Sequence, residues 1–313
     1  MSQINVNVVA PLGYTGPNLP GDNNFVQVTD VNGDTVLKIP GVTSNNIAIG
    51  LNTMPSTIGQ GNTVVGDSSM ALATTGQDNT AFGAGSLGGL TTGIENVAIG
   101  SQSGQNIVSS NENTLVGFQS GFGDSSLGLG SNNTFVGNRT GYNSSGSSNV
   151  FIGWTTALNA TTGNNNIVIG SGADKATPTS SNSITLGNSS ISVLRCQVTT
   201  ITSLSDERDK KDITHLSAGL DFVKGLKPVE FIWDERGEDG KKDIKDFGFI
   251  AQDLKKSQED ADLADTLKLV YEENPEKLEA SYGKLVPILV KAIQEMSLKM
   301  ESLSKEIEIL KTK

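Results

Sequence analysis

The sequence predicts a mainly β protein: a trimeric β-solenoid or β-prism shaft of ~17-residue repeats, then a small α/β region ending in a coiled-coil helix. Three observations carry this. A five-residue unit recurs nine times at nearly fixed spacing. The texture changes from Gly, Asn, Ser and Thr to ordinary charged sequence near residue 200. The final helical stretch keeps an apolar residue at alternating steps of four and three. The boundaries read as a cap or attachment region over 1–45, the shaft over 46–200, the α/β domain over 201–284 and the terminal helix over 285–313.

Residues 1–45 precede the repeats. Two alternating apolar runs within FVQVTDVNGDTVLKI (25–39) flank Asn32-Gly33, a pairing that favours a two-residue hairpin turn. A hairpin here would cap the solenoid end or attach it to something else.

The repeat itself is Asn, three β-branched or apolar residues, then Gly. It begins as NIAIG (46–50) and NTVVG (62–66) and continues to NIVIG (166–170) and SITLG (183–187), where Ser replaces Asn. Starts are 16, 17, 17, 17, 20, 16, 17 and 17 residues apart. Such triplets favour short strands. Positions two and four, such as Ile47 and Ile49, face one way and position three the other. Gly permits the turn that follows, and Asn can close a turn with its amide. A weaker second half, such as GFQSG (117–121), suggests a second short strand per coil. With aromatic residues at only 5%, a thick core within one chain is not expected. Three chains sharing an axis would shelter the apolar faces. These repeats resemble the head repeats of trimeric adhesins, a likeness that covers about 45–188.

Charge divides the chain sharply. Residues 1–200 hold 4 Lys/Arg and 9 Asp/Glu, and residues 201–313 hold 19 and 25. The net charge of −11 argues against nucleic acid as a partner. The N-terminus shows neither the basic nor the apolar region of a signal peptide. No apolar run approaches the ~20 residues of a membrane span. Synthesis in a cytoplasm without membrane insertion is expected. The single cysteine, Cys196, excludes an internal disulfide, and neither it nor the single histidine, His215, has partners at ligand spacing. No metal or cofactor is expected.

The charged region opens with SDERDK (205–210). KGLKPVEFIWDE (224–235), FGFIAQDL (247–254) and YGKLVPILVKAIQEM (282–296) follow in order. Together these blocks resemble the self-cleaving intramolecular chaperone domain at the C-terminus of phage endosialidases, tail fibres and spikes, over about 203–313. The resemblance implies a viral tail fibre or spike that meets a host surface. Its chaperone would drive assembly of three copies and be released by cleavage at Ser205. It implies Ser205 as nucleophile and Lys210 as base, with Asp206 and Arg208 orienting or tuning them. The cleavage site would comprise Leu204, Ser205 and Asp206. A serine hydroxyl is a weak nucleophile and needs a base. Lysine serves only when neutral, so burial or a nearby cation such as Arg208 must favour that form. Attack on the Leu204 carbonyl passes through a five-membered ring, whereas the family is associated with release at the Ser-Asp junction. Both sides of Ser205 stay open.

The seam Leu289, Ile293, Met296, Met300, Leu303, Ile307 and Leu310 fills a and d positions to the chain end, and Pro287 suits a helix start. The expected partners are two further copies, a virion tail or baseplate protein, and a host surface glycan or protein receptor. Any enzymatic activity would be confined to self-processing. Two alternatives are a trimeric cell-surface adhesin, which would need a secretion signal, and a fibre that retains its chaperone uncut.

Overall fold

The computed structural model describes residues 5–7, 24–29, 35–40, 45–55, 59–123, 128–197, 201–236 and 241–312, with side chains from residue 45 onward. They form two compact units, Met1–Asn188 and Ser189–Lys313.

In the first unit, β1 (Asn5–Asn7), β2 (Asn24–Thr29) and β3 (Thr35–Pro40) pair antiparallel. The predicted turn at Asn32-Gly33 lies outside the described residues, but the two strands that it would join do pair. β3 then pairs antiparallel with β4 (Ile47–Ile49). From there the chain winds as a parallel β-solenoid. β5 (Thr63–Val65), β6 (Thr80–Phe82), β7 (Val97–Ile99), β8 (Thr114–Val116), β9 (Thr134–Val136), β10 (Val150–Ile152), β11 (Ile167–Ile169) and β12 (Ile184–Leu186) stack in sequence order. Each pairs residue for residue with the next, as in Thr80↔Val97, Ala81↔Ala98 and Phe82↔Ile99. About eight turns result. Each strand is three residues long, as the repeat predicts. The second half of each coil closes as a ladder of turns, and none of its described residues form a second strand.

The alternation along each strand is also as predicted, but its consequence differs. Position three points inward and is fully buried: Ala48, Val64, Ala81, Ala98, Leu115, Phe135, Phe151 and Val168. Met70, Leu87, Leu90, Ile107, Leu129, Ala157 and Ala160 close the column from the other side. One chain therefore does bury a core, contrary to the expectation that only neighbouring chains could shelter it. The core is thin, and small side chains suffice because backbone encircles them.

Half of that core is polar. The asparagine of each repeat turns inward rather than closing a surface turn. Asn96 Nδ2 donates to Asn79 Oδ1 (3.0 Å) and to Ser110 O (2.8 Å), and Asn113 Nδ2 donates to Asn96 Oδ1 (3.0 Å). The same link runs from Asn46 through Asn62, Asn79, Asn96, Asn113, Asn133 and Asn149 to Asn166, and Ser183 Oγ ends it at 2.8 Å. Each Oδ1 from Asn46 onward also accepts from the backbone N–H of the next asparagine, or of Ser183 at the end.

The glycine after each strand has a steric reason. At Gly83, φ is +138°, and a Cβ would lie 2.5 Å from the Gly100 carbonyl of the coil below. Coils this close admit no side chain at that corner.

Positions two and four face outward. Ile47, Ile49, Phe82, Ile99, Val136, Ile152, Ile169, Ile184 and Leu186 are exposed. Eight strand steps of ~4.8 Å make this an apolar stripe roughly 38 Å long. The last strand has no coil beneath it, and Thr185 is only partly buried.

In the second unit, a small core gathers Ala218, Leu254, Leu267, Leu269, Val270, Leu285 and Ile288. Around it lie α1 (Leu220–Gly225), the antiparallel pair β13 (Pro228–Asp234) and β14 (Lys242–Phe249), and α2 (Ala251–Asp260). They are followed by α3 (Ala264–Leu267), the short pair β15 (Val270–Tyr271) and β16 (Glu279–Ala280), and the long α4 (Leu285–Lys311). Pro287 stands in the first turn of α4, where its missing N–H has no partner to lose. Leu285, Ile288 and Ala292 anchor α4 in the core, and the Glu295 carboxylate accepts from Leu220 N at the start of α1 (2.7 Å). From Met296 onward every described residue of α4 is exposed. Among the described residues, no helix is long and apolar enough to cross a membrane.

Candidate functional site

The segment 201–215 has little tertiary support, and its residues are exposed within the second unit. Leu204 is 100% exposed. Local structure nevertheless brings the predicted pair together. One turn of 3₁₀ helix, Glu207–Asp209, follows Ser205 and Asp206. Asp206 caps it, its Oδ1 accepting from Arg208 N at 2.9 Å. At the other end Lys210 N donates to Glu207 O at 3.0 Å. The turn reverses the chain, so Lys210 Nζ donates to Ser205 Oγ at 2.6 Å and to the Ser205 carbonyl oxygen at 2.9 Å. A five-residue separation is thus converted into contact by a single capped turn.

Arg208 turns to its neighbour in the motif. Its guanidinium donates to Asp206, Nε to Oδ1 at 3.0 Å and Nη2 to Oδ2 at 2.6 Å. That fork, and the Arg208 backbone N–H, hold the Asp206 carboxyl below the usual carboxylate range, and Asp206 in turn raises Arg208. Both groups are exposed, so the pair adds little to stability. Its effect is geometric: it locks the turn that presents Lys210 to Ser205.

This arrangement has the atoms of a serine–lysine dyad. The amine touches the hydroxyl that would attack, and it also lies against the carbonyl of the Ser205–Asp206 peptide bond. A hydroxyl polarised by a neutral amine can add to a peptide carbonyl and expel the amide nitrogen.

A second arrangement was not legible in the separate motifs. The Tyr282 hydroxyl donates to Phe249 O at 3.0 Å and accepts from Phe249 N at 3.0 Å. Its ring meets that of Phe249 edge-on, at 5.7 Å and 75°. A Cβ on Gly248 would come within 2.7 Å of the same hydroxyl. The glycine of FGFIAQDL and the tyrosine of YGKLVP thus form one joint, which ties the end of β14 to the start of α4. The separation of 33 residues between Phe249 and Tyr282 gives no sequence signal. Pro228, Val229, Glu230 and Phe247 extend this joint into an open apolar hollow, in which the Phe247 side chain is exposed. His215 is exposed, and among the described residues no group of acidic, histidine and cysteine side chains could hold a metal.

With this geometry in view, comparison with known families finds one match, to part of this region. Residues 205–263 match the chaperone of endosialidase family. The match begins at Ser205 itself. That match, with the preceding solenoid, fits a tailspike or tail fibre with a C-terminal chaperone domain. No curated protein matches the chain. No solved structure matches it either.

Proposed function

We propose that the chain is the shaft of a viral tail fibre or spike, that its chaperone domain gathers three copies, and that the domain is then released by self-cleavage at Ser205. The contact of Lys210 Nζ with Ser205 Oγ at 2.6 Å, at the first residue of the chaperone match, carries the cleavage reading. Ser205 is the nucleophile, Lys210 the base, and the Asp206–Arg208 fork positions them. In a single copy these residues stand in solvent. Packing of neighbouring copies around the segment would desolvate Lys210 and favour the neutral amine. Cutting would then follow assembly and report it.

Two exposed apolar surfaces support three-fold assembly. One is the stripe on the solenoid, longer than single soluble chains ordinarily leave uncovered. The other is the seam of α4, where Leu289, Ile293, Met296, Met300, Leu303, Ile307 and Leu310 are all exposed. A coiled coil would cover the seam and hold three shafts in register while their faces close. This order matters because pairings between separate chains form slowly. In the virion, the fibre would join a tail or baseplate protein and present its shaft to a host.

The purified protein tests the reading directly. A denaturing gel should show two pieces of about 204 and 109 residues, the lengths on either side of the Ser205 junction. Sedimentation should give the mass of three chains. A folded monomer, or an intact chain in an assembled trimer, contradicts the proposal. Leu303→Glu places a charge in the seam at each chain and should leave monomer and uncut chain together. Trimer assembled normally by that variant would remove the seam from the mechanism.

A further inference from the structure

Aromatic residues in the solenoid are concentrated in one place. Of the seven between residues 46 and 188, six lie within 118–154. Phe135 and Phe151 stack in the core at 4.6 Å and 8°. The other four lie outside it, and the backbone ladder orders them. Arg139 N donates to Phe118 O and Thr155 N to Asn138 O, each at 2.9 Å. Phe118, Asn138 and Trp154 therefore form one column on three successive coils. Phe118 is 45% exposed and Trp154 is 62% exposed. Gly123 N donates to Tyr142 O at 3.1 Å, which aligns Phe122 with Tyr142 in a second column. Their rings stack at 4.8 Å and 8°.

The charge in this region is equally localised. Residues 46–188 contain two cations, Arg139 and Lys175. Lys175 is buried, and its ammonium donates to Pro178 O and Ser180 O. Arg139 is exposed, with its guanidinium 4.7 Å over the Tyr142 ring. Among the described residues no carboxylate pairs with it. The cation that residues 46–188 expose thus sits among exposed aromatics. Both columns follow the glycine that closes each strand, so they lie off the apolar stripe of positions two and four.

We propose that this face, on the fifth to seventh coils counted from Asn46, binds an acidic saccharide. The inference rests on the reading of the shaft as the part that meets a host surface, and it names the ligand class. A pyranose ring presents a face of C–H groups that lies flat on an aromatic side chain, as Trp154 and Phe118 offer. A carboxylate on the sugar would take donors of the Arg139 guanidinium, which lies over the Tyr142 ring. The Asn138 amide between the two exposed rings can bond sugar hydroxyls. The acidic remainder of the shaft would repel a polyanion elsewhere and confine it to this patch.

The test uses the full-length protein on an array of uronate-bearing and neutral oligosaccharides, followed by titration of any that bind. At least one carboxylated member should bind more tightly than its neutral counterpart. Trp154→Ala and Arg139→Gln should each weaken that binding by about tenfold, as loss of a stacking face or charged contact does. Leu72→Ala, an exposed apolar residue on the second coil, should leave it unchanged. Binding of no carboxylated member overturns the inference, as does binding that survives both substitutions. So does capture of a protein on this face with no saccharide bound. Sedimentation of the same samples separates the two readings. Failure to form a trimer counts against the fibre, whereas a trimer that binds no saccharide counts against this site alone.

Discussion

Lys210→Arg should stop self-cleavage as completely as Ser205→Ala, although it keeps the positive charge and the hydrogen-bonding reach. Arginine is not deprotonated in proteins and cannot serve as a base. If Lys210 only propped the turn through its bonds to Ser205 Oγ and Ser205 O, the longer side chain would sustain some cutting. The expected result is one full-length band for both variants, a loss of at least about a thousandfold in rate, as is usual when a nucleophile or its base is removed. Both variants should still sediment as trimers, because neither residue belongs to the seam or the stripe. Asp206→Asn should slow cutting without abolishing it. It removes the charged fork to Arg208 but keeps an oxygen that can accept from Arg208 N. Timed denaturing gels read all three outcomes. Cutting that persists in Lys210→Arg would exclude lysine as the base. The first residue of the released piece, Ser205 or Asp206, reads which carbonyl is attacked.

Much of the fold could be read from residue spacing, and the exceptions share a cause. The repeat predicted three-residue strands, their facing and the glycine corner, because each depends on neighbours in sequence. It did not reveal that Asn96 turns inward. An Asn beside a turn has a local use, as a surface cap, and the ladder depends on a partner 17 residues away that happens to be another asparagine. The predicted dependence on other chains for shelter failed for the same reason. Counting bulky side chains underrates a core in which amides satisfy one another and small residues fill the rest. At the candidate site, the five-residue step from Ser205 to Lys210 was legible because one capped turn closes it. The fork from Arg208 to Asp206, two residues away, was not read from the motif. The Tyr282–Phe249 joint spans two motifs that each look complete alone.

Asn96→Ala should be among the most damaging single substitutions in the shaft. Its amide is buried and fully used: Nδ2 reaches Asn79 Oδ1 and Ser110 O, and Oδ1 accepts from both the N–H and the Nδ2 of Asn113. Truncation leaves the buried Asn113 N–H without its acceptor and Ser110 O without its side-chain donor, and it opens a void between coils. Each orphaned group costs about 1–3 kcal/mol, so a loss of about 3 kcal/mol is expected after partial relaxation. Ser183→Ala should cost about 1 kcal/mol or less, since Ser183 is half-exposed at the end of the ladder and its backbone N–H still serves Asn166 Oδ1. Asn96→Asp separates packing from polarity. It conserves volume and the acceptor but turns the donor into lone pairs that face Asn79 Oδ1 and Ser110 O. Burial without a cation would raise the pKa of that new carboxyl, so the variant should weaken further as pH rises above the ordinary carboxylate range. Unfolding rates of the three variants, followed by circular dichroism, check the order, because the proposed trimer would resist heat kinetically rather than at equilibrium. Equal rates for Asn96→Ala and Ser183→Ala would mean that the ladder is a passenger of the packing. The predicted gap would mean that it also sets register. A coil slipped by one residue would put β-branched side chains where amides must meet, and every link along the shaft would fail together.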